Sequence, residues 1–193
     1  MGNKSLLFLV KDIIINPVQA WETIDSEIKP VNQIRNGFLF PLSLLVSISA
    51  ALGSFLYTNP GLSPVYAVFA GIECFIVFYI STYASAYILR EISYAFDLGR
   101  NYAVSFRLIV YSIVPFMLCQ IINRLFESLL FVGVLALFGL YIFWTGAERM
   151  LTPPSHKKMP LLIGTFISYI VIFMATDYLF TKLSDKIYYK FFS

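Results

Sequence analysis

The stretch from Asn36 to Ile72 contains no charged residue. A chain of ordinary soluble composition places a charge at roughly one position in four, whereas this one is 13% charged and 59% hydrophobic over its 193 residues. That much apolar surface cannot be hidden in a water-soluble core of this length. A bundle of helices facing lipid needs it, so the composition predicts a single all-α membrane domain.

A helix crosses the hydrocarbon layer with about 20 apolar residues, so the charge-free stretch is too long for one crossing. Thr58-Asn59-Pro60-Gly61 divides it with turn-forming residues. Ser63-Pro64 then reads as a new helix start, serine as the cap and proline at the first position. The first span is thus expected at about Gly37–Tyr57 and the second at about Pro64–Leu89. The third covers about Ala103–Ile122, with Pro115 inside it, the fourth about Leu129–Ala147, and the fifth about Met159–Thr176. The expected architecture is a polytopic bundle of five transmembrane helices occupying residues 37–181.

An odd number of spans puts the two termini on opposite sides. With the N-terminus inside, ten of the fourteen basic residues fall in cytoplasmic segments: Lys4, Lys11, Lys29, Arg35, Arg90, Arg100, Arg107, Arg149, Lys157 and Lys158. Arg124, Lys182, Lys186 and Lys190 remain outside. This asymmetry follows the positive-inside rule, so the N-terminus is expected in the cytoplasm. Residues 182–193 then form a short tail on the other face.

Residues 1–36 contain apolar runs too short and too interrupted to span, and no A-x-A cleavage site. Asn16-Pro17 repeats the cap-and-proline pattern, and Val18, Trp21, Ile24 and Ile28 recur near helical spacing. Trp21 suits a membrane interface. These features predict interfacial N-terminal helices, lying on the cytoplasmic leaflet or packed beneath the bundle.

Three segments, taken in order, resemble the bacterial branch of the Yip1-domain family. "IIINPVQAWETI" (Ile13–Ile24) is similar to an N-terminal element in which Asn-Pro-x-x-x-Trp precedes the first span. "FRLIVYSIVPFML" (Phe106–Leu118) resembles the family's third span, and "LYIFWTGAERMLTPP" (Leu140–Pro154) a Tyr-rich span that ends in glycine before a short loop. The resemblance covers most of the chain and implies a five-span membrane fold. Some eukaryotic relatives bind prenylated Rab GTPases through a long cytoplasmic N-terminal region and carry an Asp-Leu-Tyr-Gly-Pro element. Here about 36 residues precede the first span and that element is missing. The resemblance therefore implies a bacterial inner-membrane protein rather than a Rab-binding one.

Glu73 interrupts the second span, roughly 14 Å along the helix from Pro64. A carboxylate at that depth must be protonated, paired or wetted. Ser47 or Ser49 on the first span and Tyr111 or Ser112 on the third are expected at a similar depth. The group is either a proton or cation site or a hydrogen-bonded tie between helices. Near the inner boundary, Tyr141, Thr145 and Glu148 share a face by i, i+4, i+7 spacing, and Arg107 is expected to pair with Glu148. Arg124 and Asp177 form the matching candidate pair at the outer boundary, where an exposed pair contributes little. Gly139 and Gly146 lie seven apart, as close helix packing requires.

Signatures of catalysis are missing: no Gly-rich phosphate loop, no H-E-x-x-H, no G-x-S-x-G. The one histidine, His156, stands beside Lys157 and Lys158, and Cys74 and Cys119 fall in separate spans, so neither metal nor cofactor is expected. Basic residues follow membrane topology instead of forming a nucleic-acid patch. The expected role is a non-enzymatic scaffold or adaptor in the membrane. The alternative is a small ion or solute transporter or channel built around Glu73. Candidate partners are the bilayer, anionic lipid or a protein at the cytoplasmic face, and further copies of the chain.

Overall fold

The computed structural model describes residues 6–57 and 64–191, the side chains at 127, 128, 130 and 191 excepted. The turn Thr58–Gly61 and the Ser63 cap lie outside the described residues. Among those described, every regular element is helical, and five helical stretches are long and apolar enough to cross a membrane: Val31–Tyr57, Pro64–Ala95, Tyr102–Leu125, Phe131–Met150 and Ser155–Lys190. The protein is a multi-pass membrane helix bundle.

Two short helices precede the first span. Helix α1 (Leu6–Ile15) runs into α2 (Pro17–Ser26) through Asn16, whose side-chain oxygen accepts from the Gln19 amide at 3.4 Å while Pro17 fills the first helical position. They pack against each other and beneath the bundle, with Ile13, Trp21 and Ile24 buried and Leu7, Ile15 and Val18 facing outward. Of the two placements the sequence allowed, the structure has the packed one. We call this end of the bundle proximal and the opposite end distal.

The first span joins a single turn, α3 (Val31–Ile34), to α4 (Phe40–Tyr57) through a π-helical turn at Arg35–Leu39. Pro41 explains the widening. Its ring crowds the carbonyl four residues back, and the wider turn lets the Phe40 amide reach the Arg35 carbonyl instead. The second span is one helix, α5 (Pro64–Ala95). It ends with Asp97 at φ 59° and Gly99 at φ 91°, and the Leu98 amide closes onto the Ser93 carbonyl. Asn101 then caps α6 (Tyr102–Ser112), accepting from Ala103 and Val104.

Pro115 divides the third span. It cannot donate to the Tyr111 carbonyl, and the chain turns at Ile113 before α7 (Val114–Leu125) begins. A 3-10 segment at Glu127–Leu137 leads into α8 (Phe138–Met150), so the fourth span is regular α-helix only in its proximal half. The last helix, α9 (Ser155–Phe191), is unbroken. The helix therefore runs on well past Thr176, and residues 182–191, expected in a tail, continue it.

Small residues set the contacts between helices. Helix α4 packs against α5 and α7, α5 also against α6 and α9, and α6 against α8. A Cβ built on Gly53 would stand 1.8 Å from the Arg124 carbonyl oxygen, and one on Gly71 3.1 Å from the Ser47 carbonyl. The third span is the centre of the bundle. In its most apolar window 67% is buried, against 11% for the fifth span, which therefore lies at the periphery.

Candidate functional site

Polar side chains gather at each end of this bundle. At the proximal end the segments carrying the sequence resemblance converge. Trp21 is only 2% exposed, and its indole N–H donates to the Ile142 carbonyl at 2.9 Å. The ring lies in a notch on α8 made by Gly146, where a Cβ would come within 2.4 Å of a ring carbon and 2.8 Å of Leu108. Tyr111 meets Trp21 edge-on, with ring centres 5.8 Å apart, and Phe38 meets Tyr111 at 4.9 Å. The N-terminal helices are thus keyed into the third and fourth spans by an aromatic cluster.

Charged groups surround the cluster. Arg149 on α8 donates to Asp25 on α2 at 3.2 Å, with Glu22 at 4.0 Å. Lys158 at the start of α9 pairs with Glu148 at 2.7 Å and faces the Trp144 ring. Lys157 ties α9 to the end of α5 through the Phe96 carbonyl and Asp97. Glu91 holds Arg90 and Arg100 together. Most of these pairs are exposed enough that each contributes under about 1 kcal/mol.

Arg107 differs from them. It is 6% exposed, donates from Nη2 to the Lys29 carbonyl at 3.0 Å, and its Nε has no partner among the described residues. The structure thus gives Arg107 and Glu148 separate partners, a backbone carbonyl for the first and Lys158 for the second. The reason is geometric: Arg107 is buried under the α2–α3 connection, whereas Glu148 faces the start of α9.

At the distal end Glu73 is half-buried on α5 and accepts a hydrogen bond from the Thr181 hydroxyl of α9 at 2.5 Å. Further toward the same end, two turns along α5 and one along α9, the Tyr66 hydroxyl donates to Asp185 at 3.4 Å, and the Tyr66 ring meets Tyr188 edge-on. Thr181, Asp185 and Tyr188 are spaced four and three apart, so one stripe of α9 supplies all three contacts. Sequence reading missed them because it ended the fifth span at Asp177. The spacing itself was the available signal.

None of the other residues expected near Glu73 bonds to it among the described residues. Ser47 and Ser49 donate to carbonyls of their own helix, at 2.9 and 3.0 Å. Tyr111 belongs to the proximal aromatic cluster. The Ser112 hydroxyl is buried without a partner among the described residues, and its carbonyl lies against Gly139. Arg124 is exposed and Asp177 half-buried, with no ion pair joining them among the described residues. One cavity lies beside the N-terminal helices and another between α6–α7, α8 and α9, and Glu73 lines neither. Among the described residues no group of His, Cys, Asp and Glu side chains could hold a metal ion.

No characterised protein and no solved structure matches the chain. The family model described as the Yip1 domain matches residues 11–177, which takes in α2 with Trp21, the third span and the Gly146 notch. The chain belongs to the Yip1-domain family of membrane proteins.

Proposed function

We propose that the protein is a non-enzymatic scaffold or adaptor of the bacterial inner membrane, with its proximal end in the cytoplasm and the end of α9 outside. One observation carries this reading: the docking of Trp21 into the Gly146 notch, which turns the N-terminal helices into a fixed platform on the bundle. The platform presents Val18, Gln19 and Glu22 outward, beside Arg149. A rigid surface of mixed charge and apolar patches suits a protein partner or anionic lipid. The basic residues Lys11, Lys29, Arg35, Arg149, Lys157 and Lys158 support the orientation. At the distal end, Glu73 bonded to Thr181 acts as a tie between α5 and α9.

Photo-crosslinkers placed at Val18 and Gln19 in cells test the proposal. A discrete protein adduct is expected, lost when Trp21→Ala releases α2. Proteoliposome flux supplies the opposite outcome. A wild-type ion or solute flux that disappears in Glu73→Gln makes the protein a transporter and refutes the scaffold role.

A further inference from the structure

The cavity beside the N-terminal helices has a volume of about 460 Å³ and lies between α1 on one side and α3 with the π-helical turn on the other. Pockets that take small ligands measure about 300–1,000 Å³. Leu6, Leu9 and Phe38 form an apolar wall, and Lys29, Gln33 and Asn36 a polar one. Among the described lining residues only Lys29 is charged, and both Gln33 and Asn36 are exposed. Asn36 is also where the charge-free stretch of the first span begins, so the cavity straddles the boundary between headgroups and hydrocarbon. Beyond Gly37, which lines it, the span continues with Phe40, Leu44 and Ile48 exposed at four-residue spacing, on one face of α4.

Positive charge is in excess around this cavity. Arg35 donates from Nε to the Asn36 side-chain oxygen at 2.9 Å. A smaller pocket shares Leu9, Lys29 and Tyr111 with the cavity and is also lined by Arg107 and Glu27. Glu27 pairs with Lys29 at 2.7 Å. Among these residues three cations stand against one carboxylate, and each basic residue near a membrane surface favours an anionic lipid about fivefold. The π-helical turn adds an acceptor. The Phe40 amide bonds to Arg35 and Pro41 has no N–H, so the Asn36 carbonyl lacks its usual donor. At the edge of the hydrocarbon such a carbonyl needs one from elsewhere. A soluble anion would gain nothing from the apolar wall, and a bare hydrocarbon chain nothing from the cations. A phospholipid with an anionic phosphate and a headgroup hydroxyl uses the wall, the cations and the carbonyl together.

We propose that this cavity seats an anionic phosphatidylglycerol-type lipid. Its phosphate lies beside Lys29 and Arg35, its headgroup hydroxyl donates to the Asn36 carbonyl, and one acyl chain passes Gly37 and runs along Phe40, Leu44 and Ile48. The proposal rests on the reading of the proximal end as a surface for anionic lipid and gives that lipid a seat. The test uses the full chain in phosphatidylcholine nanodiscs with a trace of phosphatidylglycerol bearing a diazirine on its acyl chain, the labelled residues mapped by mass spectrometry. Labelling is expected at Leu6, Phe40 and Leu44, in preference to Ile163 and Ile167, which are exposed on the proximal half of α9. Unlabelled phosphatidylglycerol should compete, and additional phosphatidylcholine should not. Lys29→Gln should raise the half-competing concentration about fivefold, whereas Lys182→Gln, which removes an exposed charge at the distal end, should leave it unchanged. A Cβ on Gly37 meets nothing within 4 Å, so Gly37→Phe should fill the cavity, keep the thermal midpoint and abolish labelling at Leu6 and Phe40. Both leaflets of a nanodisc are alike, so an inverted orientation or a missing protein partner would not alter these results. Several outcomes overturn the proposal: labels spread equally over α4 and α9, equal competition by phosphatidylcholine, a Lys29→Gln variant that competes as wild type does, a folded Gly37→Phe variant that still labels, or crosslinks between two copies in place of lipid adducts.

Discussion

Gly146→Ala is the sharpest perturbation available at the proximal end. The added carbon would stand 2.4 and 2.5 Å from two atoms of the Trp21 ring and 2.8 Å from Leu108, about an ångström inside ordinary contact. The ring cannot swing aside freely, because its N–H is bonded to the Ile142 carbonyl and its face is met by Tyr111. Overpacking of this kind costs about 1–3 kcal/mol. The cost is capped by that of undocking Trp21 altogether, for which Trp21→Ala at about 3–5 kcal/mol is the measure. Once Trp21 is gone only a Leu108 methyl, at 2.8 Å, crowds the added carbon, and it can turn into the space the ring leaves, so alanine in place of glycine should stabilise α8 by up to about 1 kcal/mol. Gly146→Ala should therefore change sign between the two backgrounds, with a coupling of about 1–4 kcal/mol. In detergent, thermal unfolding read by size-exclusion survival should show Gly146→Ala lowering the midpoint by several degrees, at about 2–4 °C per kcal/mol for a chain of this size. The double variant should melt at or slightly above Trp21→Ala. Additive effects of the two substitutions would show that the ring and the glycine do not touch, and would remove the basis for the platform.

Four further outcomes follow from the structure. Gly53→Ala should prevent folding, because its Cβ meets the backbone carbonyl of Arg124, whereas Gly37→Ala, with nothing within 4 Å, should be neutral or stabilising by up to about 1 kcal/mol; expression and thermal melting distinguish them. Thr181→Val should destabilise by about 0.6–1.7 kcal/mol, the range for hydrogen bonds between membrane helices, while Glu73→Gln, which keeps an acceptor oxygen, should melt closer to wild type in the same assay. Cys74 and Cys119 are buried, so an impermeant maleimide should modify neither until the protein is denatured. A single cysteine at Gln19, in a Cys74→Ala, Cys119→Ala background, should react only from the cytoplasmic side. Reaction from the outside refutes the proposed orientation.

The five crossings were legible because removing charges from water is so unfavourable that hydropathy alone marks each span. Asn16-Pro17 was legible because a cap and its proline are local chemistry. Pairing was much less so. The partner of Arg107 is the Lys29 carbonyl, and every residue has a carbonyl, so no side-chain pattern points to it. Trp21 suggested an interface because the residue type suits one; its burial depends on a glycine on another helix. Asp177 looked like the end of a span, yet α9 tolerates it half-buried and carries Thr181 on to Glu73. In each case the missing information was which helix lies beside which.

The bond between Trp21 and Ile142 joins residues 121 apart in the chain. During synthesis α2 leaves the ribosome long before α8 exists, and at a rate of about 5–20 residues per second it waits at least several seconds for its notch. An amphipathic helix can wait on the membrane surface, and it can lock only after the fourth span has been inserted the right way round. The N-terminal helices would then report on completed assembly: a chain whose later spans insert wrongly keeps them loose and open to proteolysis.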